Sequence, residues 1–247
     1  MSTIAAAPSS DIAQPFHWLA EGWRDIWRQP AESLFYGFAV TFAGAVILQL
    51  SRNVPWLYVA AVGGFMLVAP MLATGLYQIS RRIEAGEKIT LLDSMTAWRE
   101  NLDGFLAFAM LLLFAGTFWQ LISAVLIAMF YHGNAADPVA LAVDVLTNPA
   151  NGMFFALYLG IGGLLAALVF AVSVITMPML LDRRCGLLTA IGASLQAVSD
   201  RPLTMALWAG LIAALTAIGF ATFLLSLIII MPWLGHASWH AYRALTR

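Results

Sequence analysis

Five stretches of the chain contain no Asp, Glu, Lys or Arg: Ser33–Ser51, Asn53–Ser80, Gly104–Ala136, Val145–Leu181 and Pro202–Tyr242. Charged residues make up only 10% of the 247 positions, against roughly 25% in a soluble domain. So few polar groups cannot cover a water-facing surface. The single cysteine, Cys185, excludes an internal disulfide and a multi-cysteine metal cage. A formal net charge of −1 leaves no basic field for nucleic acid. No phosphate loop, zinc-protease helix or nucleophile elbow occurs, so no enzymatic role is expected. Met1–Pro15 lacks the basic start of a secretory signal. Residues 1–15 are expected to be a disordered N-terminus and residues 16–247 a single integral membrane domain.

What is present is apolar length. The chain is 62% hydrophobic, with mean hydropathy +0.85. A charge at the bilayer centre costs roughly 2.5–3.5 kcal/mol on insertion scales, so the charge-free runs read as membrane spans. A helix needs about 20 apolar residues to cross a ~30 Å hydrocarbon layer. The spans fall at about residues 33–50, 56–80, 102–131 and 153–181. The last run, as one helix, would measure roughly 60 Å at ~1.5 Å per residue. It reads as two spans, 203–218 and 220–242, broken at Gly219, where glycine tolerates positive φ. The fold class is an all-α membrane protein, a six-helix transmembrane bundle; five spans are the alternative.

Charge placement favours six. With both termini on the cytoplasmic side, Arg52 alone of the 12 Lys and Arg residues faces out. Internal repetition agrees. Trp27-Arg28-Gln29-Pro30, Trp98-Arg99-Glu100-Asn101 and Ser199-Asp200-Arg201-Pro202 precede spans one, three and five. Pro70, Pro178 and Pro232 lie within spans two, four and six. The pattern is three proline-bearing hairpins. Amphipathic stretches lead into each: Phe16–Trp27, Thr90–Arg99 and Leu187–Val198, read as short interfacial helices. They would dock a partner or pack under the bundle.

Several segments carry a resemblance: Gly22-Trp23-Arg24-Asp25, Ser33-Leu34-Phe35-Tyr36-Gly37, Ala69-Pro70-Met71-Leu72, Pro178 to Arg184, and Leu234 to Arg243. Together they resemble a bacterial family of predicted integral membrane proteins, domain of unknown function 2189, from about Trp18 onward. The resemblance implies a multi-pass protein of the bacterial inner membrane, N-terminus cytoplasmic. It supplies no catalytic residues.

His236 and His240 are the candidate cofactor-binding residues. Their i, i+4 spacing puts both imidazoles on one helix face, as a metal or haem iron would need. Two ligands do not complete a metal site, and aromatic and basic residues gather at a membrane interface without binding anything. No cofactor and no metal is therefore assigned. The three prolines read as kinks or, in a transporter, as the walls of a midplane site. Gly37/Thr41, Gly162/Ala166, Gly163/Ala167 and Gly210/Ala214 are small-residue pairs for close helix packing.

The expected function is a non-catalytic accessory or scaffolding subunit of the inner membrane. Its partners are membrane lipids, with other membrane subunits or a second copy of the chain. The alternative is a transporter or channel for an apolar or lipid-like substrate, with a cavity near the prolines lined by Thr74, Thr176 and methionines. A haem- or metal-binding subunit is the third reading.

Overall fold

The computed structural model describes residues 12–51, 72–133 and 138–246. Of the expected disordered segment 1–15, residues 1–11 lie outside the described residues, as do most of the second span (including Pro70) and Arg52; Gln14 and Pro15 are not disordered but open the first helix. Eleven helices are described. They are α1 (Gln14–Arg28), α2 (Pro30–Ser51), α3 (72–84), α4 (Leu91–Met95), α5 (Leu102–Phe130) and α6 (Pro138–Thr147). Then come α7 (Gly152–Ser173), α8 (Thr176–Arg183), α9 (Leu187–Asp200), α10 (Pro202–Ala221) and α11 (Leu227–Leu245). Among the described residues no strand occurs. Among the described residues, four segments have the length and composition to cross a membrane: Pro30–Gln49, Leu91–Phe130, Pro149–Arg183 and Pro202–Ala221.

The residue ahead of α2, α5 and α10 takes one shape each time. Gln29 has φ −137°, ψ 68°; Asn101 has φ −147°, ψ 59°; Arg201 has φ −136°, ψ 58°. Proline opens α2 and α10, where its missing N–H leaves no helical bond unmade.

The last apolar run is two helices, but Gly219 is not the break. It stays inside α10, and the turn falls at residues 222–226. Phe223 and Leu224 adopt positive φ, 51° and 70°. The turn is held by the Leu224 amide on the Gly219 carbonyl at 2.9 Å and by the Ser226 amide on the Thr222 hydroxyl at 3.2 Å. Gly219 is small for another reason: the Leu227 side chain folds over it.

The fourth span also divides, into α7 and α8. Pro178 has no N–H to give the Val174 carbonyl, four residues back, so the ladder opens there. Ser194 of α9 closes the gap. Its hydroxyl accepts the Ile175 amide at 3.2 Å and donates to the Ala171 carbonyl at 2.7 Å. In an unbroken helix those two groups would bond each other. The stretch between the third and fourth spans contains α6. Leu141 and Val145 of α6 pack on a cluster of Leu126, Tyr131 and Phe154.

Helix α11 runs through the centre of the packing, against α1, α2 and α3. Ser33, Gly37 and Thr41 of α2 meet His236, Ile228 and Leu224 in turn, so the two helices are antiparallel. Pro232 frees the Ile228 carbonyl, and Gly37 lies against it; any Cβ there would collide with that oxygen. At Gly22 of α1 a Cβ would stand 2.6 Å from the Ala237 amide nitrogen.

Charged groups from distant segments collect together. Arg81 and Arg184 each reach Glu100 at 3.0 Å, and Arg243 reaches Glu84 at 3.2 Å. The interfacial helices divide their faces. α1 buries Trp18, Leu19 and Ile26 under the bundle and leaves Phe16 and Trp27 exposed. Leu92 of α4 and Leu188 of α9 are exposed as well.

Candidate functional site

The two histidines meet around a residue that the sequence places in an amphipathic surface helix. Asp25 is fully buried, the one side of α1 that faces inward carrying it beside Trp18, Gly22 and Ile26. The Ser80 hydroxyl donates to its Oδ2 at 2.8 Å. The His240 Nε2 also lies 2.8 Å from Oδ2. Arg28 reaches Oδ1 at 3.4 Å.

Donor order then fixes the His236 tautomer. Because the Ser80 proton goes to Asp25, its oxygen accepts from His236 Nδ1, 2.8 Å away. His236 Nε2 is therefore the acceptor for the Ser33 hydroxyl at 2.9 Å. The network runs Ser33, His236, Ser80, Asp25, His240. It continues through Glu84, 3.7 Å from His240 Nδ1, to Arg243 and Asp182. Tyr242 closes it, its hydroxyl donating to Asp182 at 2.6 Å.

Burial by itself would raise the Asp25 carboxyl. Hydrogen bonds from His240 and Ser80, and the nearby imidazoles, outweigh that and hold it below its ordinary value. Both ring nitrogens of His236 are engaged within the protein. Among the described residues, no three of His, Cys, Asp and Glu converge to hold a metal ion. The i, i+4 pair does share one face, and what that face meets is a carboxylate.

Asp25 escaped the reading of the sequence, yet a signal was there. It stands at i+3 from Gly22 and i+7 from Trp18, inside the buried stripe of α1. A charge in that stripe must find partners when the stripe is buried.

A second feature lies across α11 from this network. A cavity of about 770 Å³ opens between α3, α5, α7, α8, α10 and α11. Tyr77, Leu112, Trp119, Gly163, Met177 and Met231 are on its wall. Met177 and Met231 adjoin Pro178 and Pro232, so the cavity lies at the level of the kinks. Thr74 and Thr176 do not line it; both are fully buried. No charged side chain is on the wall among the described residues.

Residues 57–182 match the family described as predicted integral membrane protein (DUF2189). The chain matches no curated protein and no solved structure.

Proposed function

Since the chain belongs to that family of integral membrane proteins, we propose that it is a non-catalytic accessory protein of the bacterial inner membrane that holds an apolar, lipid-like molecule. It crosses the membrane six times in three hairpins, with both termini cytoplasmic. The shared backbone shape of Gln29, Asn101 and Arg201 supports the repeat. The collection of Arg81, Arg184, Arg243 and their partners supports a single cytoplasmic end.

The binding role rests on the cavity. Ligand sites are concave and largely apolar, with few polar groups. A space of about 770 Å³ with no charged wall residue suits a hydrocarbon chain and repels an ion. The prolines lie beside this space, Pro178 at the α7–α8 break and Pro232 inside α11.

The test is mild-detergent purification followed by mass spectrometry of bound lipids. Gly163 is on the wall, and a Cβ built there meets nothing within 4 Å, so a larger side chain fills space without displacing backbone. The wild-type protein is expected to retain an apolar molecule that Gly163→Trp loses. Equal retention by both would remove the cavity as the site.

A further inference from the structure

The polar groups on the cavity wall are not equivalent. Ser173 and Ser238 direct their hydroxyls to the carbonyls of Phe170 and Leu234. Trp119 and Tyr158 meet edge to face, their ring centres 4.9 Å apart, and are half-buried, and Tyr158 accepts the Ser123 hydroxyl at 3.4 Å. Tyr77 differs from all of these. It is 8% exposed, its ring is packed in the core with Phe105, Phe108 and Trp239, and it lines the cavity. No hydrogen bond of its hydroxyl occurs among the described residues, and the oxygen is not one of the fully buried unpaired side-chain atoms, so it is reached from the cavity.

A hydroxyl that faces an apolar space without a partner is unfavourable, and polar groups in folded proteins are nearly always satisfied. Resting on the cavity reading above, we propose that Tyr77 donates a hydrogen bond to the carbonyl oxygen of a neutral, long-chain ligand. Neutrality follows from the wall, which offers a carboxylate no cation and an ammonium no anion among the described residues. Orientation follows from the helix. Tyr77 is one turn before Arg81, which pairs with Glu100 in the charged cluster. The carbonyl end of the ligand therefore points toward that cluster. Its hydrocarbon chain runs past Gly163 toward Trp119.

Three radiolabelled probes of similar length separate the possibilities: methyl palmitate, hexadecane and palmitate. Each is titrated by equilibrium dialysis against the full chain in detergent, with thermal unfolding to confirm that variants fold. Wild type is expected to bind methyl palmitate better than hexadecane, and palmitate poorly. Tyr77→Phe keeps the ring and removes the donor. It is expected to bind methyl palmitate about fivefold more weakly, the worth of one hydrogen bond, and hexadecane unchanged. Gly163→Trp should lose both. If Tyr77→Phe binds methyl palmitate as well as wild type does, the Tyr77 assignment is wrong and the cavity reading stands. If palmitate binds as tightly as its ester, the ligand is not neutral. If wild type binds neither methyl palmitate nor hexadecane, both readings fall together.

Discussion

Asp25 and His240 stand 215 positions apart in the chain, and their Oδ2 and Nε2 atoms lie 2.8 Å apart. That contact joins the first helix to the last. It works only because Gly22 lets α1 approach the backbone of α11 at Ala237. The carboxylate arrives with three partners already pointing at it, Ser80, His240 and Arg28.

Removing the carboxylate should be worse than removing one of its partners. Asp25→Ala removes the contacts to Ser80, His240 and Arg28 together, whereas His240→Ala removes one of them, and each hydrogen bond to a charged group is worth about 1.5–3 kcal/mol. Asp25→Ala is thus expected to lower the melting temperature in detergent further than His240→Ala does. The double variant should fall short of the sum by about 0.5–3 kcal/mol of coupling. Strict additivity would mean the contact contributes nothing.

Acid should loosen the same junction. The folded protein holds Asp25 below the ordinary 3.8, so the unfolded chain takes up its proton first as pH falls. The contribution is complete above about pH 4 and is lost as pH drops through the lowered folded value. Melting temperatures of wild type and Asp25→Asn, taken from pH 7 down to pH 3, are expected to converge at the acid end. A constant gap between the two curves would contradict this.

The helical membrane architecture was legible from apolar run length, because bilayer thickness acts on every span alike. The overlong last run correctly signalled two helices. Gly219 misled because glycine was weighed only for its freedom at positive φ, whereas here it makes room for Leu227. The turn instead settled where Thr222 and Ser226 supply hydroxyls to the backbone. The histidine pair was visible from spacing alone. Its partners Asp25, Ser33 and Ser80 were not, since they come from three other helices and only tertiary packing brings them together.

Glycine substitutions should sort by what faces them. Gly22→Ala drives a Cβ to 2.6 Å from the Ala237 nitrogen, and overpacking of this kind costs typically ~1–3 kcal/mol. Gly210 in α10 has nothing within 4 Å of a built Cβ. Gly210→Ala should raise stability by up to about 1 kcal/mol through helix propensity. Thermal unfolding of the two variants in the same detergent reads the opposite signs directly.

Ser194 predicts a localised failure. Ser194→Ala strands the Ile175 amide and the Ala171 carbonyl at the α7–α8 break. Each buried group left unpaired costs about 1–3 kcal/mol. Hydrogen exchange should accelerate at residues 171–179 and leave α1 and α11 unchanged. Protection lost evenly across the protein would show that Ser194 does not act as a local splint.

The meeting of α1 with α11 also sets an order of assembly. Asp25 leaves the ribosome before Ser80, and His240 well after both. Until the final helix is synthesised, the carboxylate lacks the imidazoles that stabilise it, and α1 has no groove to enter. The first helix must therefore wait at the membrane surface while the spans insert. The bundle closes only once residues 236–240 have emerged, so a ribosome stalled before residue 236 would leave α1 undocked and open to proteolysis.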